Sequence, residues 1–286
     1  MSFKAQLNSW LIKNIKFRVE VYPAFDGCIP CLKNIMKIGI VDFNPDTSSV
    51  VSASLNSIAE LIPDSVEYSF LNSRNFIDEY EFDEFDSLIL TGSSLSAFSF
   101  QEMLKKNIFE YENYFHVHKT FKKLLDYKKP MIGICFGAQI LALVKGGEIG
   151  RLKQTEFGYL EHKLTNDGKV DPVFGCLSEI FFGAHSHNDY VQQLPQSPEV
   201  KSSSIIATHN DYIHAYKIVC ENDAVCYGVQ PHPEMSTSGN ATFMITESKN
   251  EIKNIIGEDE YKRIVNIPEN ATFELSEVIP KFIESL

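Results

Sequence analysis

From Met36 onward, short apolar runs alternate with stretches whose apolar positions recur at helical spacing. Lys37-Ile-Gly-Ile-Val-Asp42 reads as a buried strand, and Leu55, Ile58, Ala59 and Ile62 then fall on one helical face. Val66 to Phe70 alternates like a strand, and Ser87-Leu-Ile-Leu-Thr91 is a further buried strand ending at Gly92. A long polar helix is expected from Glu110 to Tyr127, followed by a strand at Lys129-Pro-Met-Ile-Gly-Ile134. Strands separated by helical segments predict an α/β fold, a three-layer α/β/α sandwich whose central sheet is mostly parallel and covered on both faces. After Gly147 the pattern changes to short strands and turns through Gln230, punctuated at Asp167-Gly168, Asp171-Pro172 and Leu194-Pro195.

The two ends read as additions. Phe3, Leu7, Trp10, Leu11 and Ile15 share a helical face, and Phe17, Val19 and Val21 alternate as far as Pro23, so residues 1–35 are expected to form an extension of helix and strand. Ile252, Ile255 and Ile256, then Leu275, Ile279 and Phe282, carry helical spacing and predict a helical tail over 247–286.

Charge narrows the range of partners. Across 286 residues, 26 basic and 38 acidic side chains leave a net charge of −12, which disfavours nucleic acid and anionic membranes as partners, because both need a basic face. No apolar run reaches the roughly 20 residues of a membrane span, and the start of the chain lacks the pattern of an export signal. A cytoplasmic protein is expected, its 6 cysteines reduced thiols and its Asn240-Ala-Thr and Asn270-Ala-Thr glycosylation patterns unused.

Chemistry concentrates at Gly133-Ile-Cys135-Phe-Gly137-Ala-Gln139, between a strand and a helix expected from Ala138 to Val144. This is the strand–turn–helix elbow with cysteine at its apex, flanked by small residues because the turn is tight. The helix's first amides and its dipole favour negative charge on the sulfur, and the Phe136 N–H faces the space where an oxyanion would form. A second string, Val229-Gln-Pro-His232-Pro-Glu234, puts His232 and Glu234 two apart, on one side of an extended chain. Glu234 would hold the imidazole in one tautomer, and His232 would serve Cys135 as acid and base.

These strings resemble the class I glutamine amidotransferase family, the triad type found in GMP synthetase and carbamoyl phosphate synthetase. The pattern G-x-C-x-G-x-Q followed by G-x-Q-x-H-P-E is met at Gly133–Gln139 and Gly228–Glu234. The resemblance covers Met36 to Thr246, which sets a flavodoxin-like domain at 36–246. It implies that Leu90-Thr91-Gly92-Ser93-Ser94 is the oxyanion strand, with the Gly92 amide as second donor beside Phe136. It also implies that Ser186-His-Asn-Asp189 lies beside the substrate, with backbone at Asn188 and Asp189 touching its α-amino or carboxylate group and Gln139 reaching the same end. Thr155-Glu-Phe-Gly158 and Asp171-Pro-Val-Phe174 fall where the family has similar strings. Ala138 and Pro231 depart from the residues many members carry, and neither supplies a triad group.

The function implied is hydrolysis of glutamine's side-chain amide through a cysteine thioester, with ammonia passing to a separate synthetase, since no Gly-rich phosphate loop is present. A stand-alone hydrolase of γ-glutamyl peptides or amides is the alternative, and a non-catalytic binding protein of the same fold a third. No cofactor and no metal are expected. Cys28-Ile-Pro-Cys31 has no second ligand pair, and His185-x-His187 and His116-x-His118 could place ligands on one strand face but have no evident carboxylate-rich partner.

Overall fold

The computed structural model describes residues 35–45, 47, 49–74, 78, 80–109, 112–235, 249, 253, 258, 261–262 and 273–286. The helix and strand expected between Phe3 and Val21, the Cys28–Cys31 pair, the two glycosylation patterns and the helical spacing at Ile252–Ile256 lie outside them.

Strand β1 (Lys37–Asp42) pairs in parallel with β2 (Glu67–Asn72) on one side and β3 (Ser87–Leu90) on the other. Beyond β3 the sheet continues in parallel through β4 (Met131–Ile134) to β9 (Val225–Val229). Each of these strands sends alternate side chains to opposite faces, as the two-residue period of a strand requires. Leu88 and Leu90 join one core with Phe100, Phe121, Leu124 and Leu141. Ile38, Ile40, Ile89, Ile132 and Ile134 join the other with Ile58, Val278, Ile279 and Phe282. Helices α2 (Ala97–Lys106), α3 (Glu112–Asp126) and α4 (Phe136–Val144) supply residues of the first core. Helix α1 (Ser49–Glu60) and the last helix, α6 (Val278–Glu284), supply the second. Both faces of the sheet are therefore covered.

The sheet is mixed rather than mostly parallel. Its order is β2-β1-β3-β4-β9, then β8 (Tyr212–Cys220), β6 (Ile180–Gln193), β5 (Glu148–Leu164) and β7 (Val200–His209), and from β9 outward the neighbours are antiparallel. The segment after Gly147 is also not made of short strands: β5 (Glu148–Leu164) runs for 17 residues and β6 (Ile180–Gln193) for 14. The turn residues at Asp167-Gly168 sit in the one-turn helix α5 (Asn166–Val170), which carries the chain from β5 toward β6. Strands β7 (Val200–His209) and β8 (Tyr212–Cys220) form a hairpin at Asn210-Asp211, both in the left-handed region. Hairpins need no crossover, so the second half of the chain adds antiparallel strands to the parallel half.

Helix α2 lies where no helix was expected. Ser96 caps it by accepting from the Ser99 N–H, Lys105 and Lys106 sit in its last turn, and Asn107 ends it at φ 51°. Among the described residues no helix is long and apolar enough to cross a membrane.

Candidate active site

Three parallel strands end side by side. Leu90 lies level with Gly133, and Gly133 and Ile134 lie level with Gly228 and Val229. This register brings together chain positions that are far apart: Gly92 just past β3, Cys135 just past β4 and His232 just past β9. The carboxyl ends of strands in an open α/β sheet are where such folds place their ligands.

Cys135 has φ 49° and ψ −109°, a region that L-residues avoid. Its N–H donates to the Val229 carbonyl at 2.8 Å, while its own carbonyl accepts from the Gln139 N–H at 3.1 Å. The flanking glycines follow from close approach. A Cβ on Gly133 would stand 2.5 Å from the Gly137 carbonyl, and one on Gly137 would stand 2.2 Å from the Leu90 carbonyl oxygen. Phe136 opens α4, so its amide is one of those a helix cannot satisfy from its own ladder.

His232 is placed by an antiparallel bridge, its N–H donating to the Ala184 carbonyl at 3.0 Å. Its Nδ1 lies 2.8 Å from Glu234 Oε1, which also accepts from the Ser54 hydroxyl at 3.1 Å. A carboxylate accepts only, so Nδ1 carries the proton. Gly92 fits against both other groups: a Cβ there would come within 2.9 Å of His232 Cε1 and 3.6 Å of Cys135 Cβ. Burial by itself would lower the imidazole's pKa. The charges of Glu234 and Cys135, with hydrogen bonds to both, outweigh that and raise it well above the usual histidine value.

Glu234→Gln is expected to lower the His232 pKa below that of the parent, because it removes the carboxylate charge 2.8 Å from the ring. NMR titration of the ring's Cε1 proton reads the shift. An unchanged midpoint would mean that Glu234 does not govern this imidazole.

The other expected residues lie near one another and are held by hydrogen bonds. Gln139 is 2% exposed, and its amide donates to the Asp189 carbonyl at 2.7 Å and to Gln230 Oε1 at 2.9 Å. The carboxylate of Asp189 accepts from Ser96 Oγ, the Phe98 N–H and Arg151 Nε. Asn188 is exposed, its Oδ1 accepting from the Thr155 hydroxyl. Sequence reasoning missed Ser54, Ser96 and Arg151. Ser54 meets Glu234 across 180 positions, and nothing local signals it.

A family model described as glutamine amidotransferase class-I matches residues 107–251. The chain is 27% identical over 212 residues to a glutamine-hydrolyzing GMP synthase of Brachyspira hyodysenteriae, covering 74% of this chain and 35% of that protein. It is 33% identical over 117 residues to one subunit of the glutamine-hydrolyzing GMP synthase of Ignicoccus hospitalis, covering 41% and 57%. To gamma-glutamyl peptidase 5 of Arabidopsis thaliana it is 29% identical over 163 residues, covering 56% and 57%. The chain thus spans between about a third and three-fifths of the length of these relatives. Among solved structures, a glutamine amidotransferase of Thermotoga maritima superposes with TM-score 0.61 at 16% identity, covering 88% of this chain and 97% of that one. A glutamine amido transferase of Methylobacillus flagellatus gives 0.56 at 17%, covering 88% and 95%. At these identities the likeness is one of fold. The match over half the chain, on the segment that holds the elbow and the His-Pro-Glu string, makes this protein a member of the class-I glutamine amidotransferase family.

Proposed function

We propose that the chain hydrolyses the side-chain amide of glutamine by acyl transfer to Cys135. The observation that carries this reading is the convergence of a cysteine on a strained elbow, an imidazole bonded to a buried carboxylate, and a glycine packed against both. The Cys135 sulfur attacks the amide carbon, and the amides of Gly92 and Phe136 receive the developing oxyanion. His232 gives its proton to the leaving nitrogen, ammonia departs, and a γ-glutamyl thioester remains. Water then loses a proton to His232 and releases glutamate. Glu234 holds the ring tautomer throughout. Asn188 contacts the amino-acid end of the substrate with backbone of Asp189, whereas Gln139 positions that backbone rather than meeting substrate itself. The ammonia passes to a separate acceptor protein, a reading supported by the Ignicoccus relative, which is named as part of a multi-chain synthase. A nucleophilic thiol also fits the reducing cytoplasm.

A second reading has its own support, the similarity to gamma-glutamyl peptidases over more than half the chain. The triad chemistry is unchanged and only the leaving amine grows. Offering the purified chain glutamine, then γ-glutamyl peptides and bulky amides, separates the two. Turnover confined to glutamine, and stimulated by an acceptor protein, is the expected result. Faster turnover of the bulky compounds without a partner would replace it with the peptidase reading.

A further inference from the structure

Five of the chain's 8 histidines gather outside the proposed triad. His185 and His187 point the same way from β6, Glu156 lies opposite His187 on β5, and His214 comes from β8. His162 lies behind them and His209 at the edge, with Nε2 4.0 Å from Glu156 Oε1. His162, His185, His187 and His214 are all buried. One ligand atom from each of Glu156, His185, His187 and His214 falls within 4.8 Å of all the others.

Proton placement decides what the group can do. His187 Nδ1 lies 2.9 Å from the Asp189 carbonyl, an acceptor, so this nitrogen carries a hydrogen and, in the neutral ring, Nε2 keeps its lone pair. That lone pair faces Glu156 Oε2, a second acceptor, at 3.1 Å, and His185 Nδ1 at 2.9 Å. His214 Nε2 approaches the same Oε2 to 3.2 Å, yet these two buried atoms make no hydrogen bond of acceptable geometry. His162 Nε2 sits 2.8 Å from His185 Nε2 and 3.1 Å from His214 Nδ1. In the tautomer in which it accepts from both, His185 Nδ1 and His214 Nε2 keep their lone pairs free. Three imidazole nitrogens and one carboxylate oxygen then converge with their other ring nitrogens already held. In that set of tautomers His187 Nε2 and Glu156 Oε2, both acceptors, face each other, and a bound cation resolves the conflict.

We propose that Glu156, His185, His187 and His214 bind a divalent transition-metal ion of the zinc type. Three nitrogens and one oxygen suit zinc, and metal–ligand bonds of about 2.0–2.1 Å in a tetrahedron put ligand atoms about 3.3–3.4 Å apart. Three of the six approaches, at 2.9, 3.1 and 3.2 Å, lie close to that edge, and the widest, within 4.8 Å, closes by up to about 1.4 Å on binding. Ring nitrogens that face a backbone carbonyl and another histidine are the usual support of such ligands. A cavity of ≈ 550 Å³ lined by Glu156, His209, Thr155, Leu160 and Tyr212 gives the ion a way in. With four protein ligands the site is closed, so the ion is structural. It ties β5, β6 and β8 together beside Ala184, whose carbonyl receives the His232 N–H. The site stands independently of the glutaminase reading. Sequence reasoning expected no metal because no carboxylate-rich partner for His185-x-His187 is evident in the sequence. Glu156 becomes its partner only through the pairing of β5 with β6.

The test uses the full chain without a histidine tag, stripped with a chelator and dialysed against zinc, then separately against magnesium. The expected result is saturable uptake of one zinc per chain, no magnesium uptake, and a rise in Tm on reloading. Cobalt should give the visible bands of a four-coordinate nitrogen and oxygen site. His214→Gln and Glu156→Gln abolish stoichiometric uptake, and His162→Gln, which removes the ring nitrogen facing His185 and His214, weakens it about 10- to 100-fold. If a variant does not fold, the cobalt spectrum of the parent decides: a thiolate charge-transfer band would place the ion on cysteines and overturn the proposal. So would absence of saturable zinc uptake by the parent, or a folded His185→Gln, His214→Gln double variant that binds as the parent does.

Discussion

Cys135→Ala is expected to lose glutamine hydrolysis by on the order of 10⁶-fold while the chain stays folded, and Cys135→Gly to lose as much activity yet be the more stable of the two. The activity loss follows from removing the atom that forms the thioester, which neither Gly92 nor His232 can replace. The stability difference follows from the backbone. At φ 49° and ψ −109° a residue with a Cβ is strained, at a cost of about 1–3 kcal/mol, and this pair of angles lies where glycine is nearly alone. Taking the upper figure, about 3 kcal/mol of relief stands against roughly 1 kcal/mol for glycine's greater freedom in the unfolded chain. A buried methyl group sets a further 0.8 kcal/mol or so against it. About 1 kcal/mol remains in favour of glycine, a rise in Tm of roughly 2–4 °C over the alanine variant. Thermal unfolding of the two variants reads this directly. An alanine variant as stable as the glycine one would hold the strain at the elbow to about 2 kcal/mol, one clearly more stable would show the elbow unstrained, and undiminished glutaminase activity in either would remove Cys135 from the mechanism.

What could be read in the chain beforehand was what is local. The buried runs at Ile38–Val41, Ser87–Leu90 and Met131–Ile134 announce parallel strands because both faces of such a sheet are covered, so every side chain is apolar or small. The elbow is equally local, since the glycines around Cys135 answer contacts made within one turn and with one neighbouring strand. Helix α2 was missed although Ala97, Phe100 and Leu104 hold helical spacing, because it is only 10 residues long and its start is marked only by Ser96. The antiparallel half escaped for a different reason. A strand as long as β5, bent by a bulge between Arg151 and Glu156, loses its two-residue period where the chain kinks and so reads as several short ones.

Side-chain partners show the same division. Glu234 lies two residues from His232, and their contact could be anticipated from extended backbone. The bond from the Gln139 amide to the Asp189 carbonyl spans 50 positions and has no such local signal. The histidine cluster was half visible as His185-x-His187. The carboxylate and third imidazole come from other strands, and which strands lie adjacent is a matter of topology that no local spacing encodes.

Gly137→Ala is the substitution expected to cost most stability in this region. The added Cβ would lie 2.2 Å from the Leu90 carbonyl oxygen, 2.6 Å from its carbon and 2.8 Å from its Cβ. Two of these are backbone atoms of a central strand, whose neighbours β1 and β4 hold it on both sides. Leu90 cannot rotate away, so α4 must move off the sheet by most of an ångström or more. Ile140 and Leu141, both fully buried, would lift with it, and the Cys135 carbonyl that accepts from Gln139 would lose its register. Overpacking of this kind costs about 1–3 kcal/mol where side chains can give, and more where the obstacle is backbone, so about 3 kcal/mol or greater is expected. At roughly 2–4 °C per kcal/mol the fall in Tm is large enough to read in a single melt. A neighbouring substitution supplies the control. Ala138→Gly enlarges nothing and costs only helix propensity and a buried methyl, together about 1–2 kcal/mol. If Gly137→Ala melts no lower than Ala138→Gly, then α4 and β3 are not packed backbone to backbone, and the close approach that seats the cysteine at the end of its strand is not the reason for the glycine.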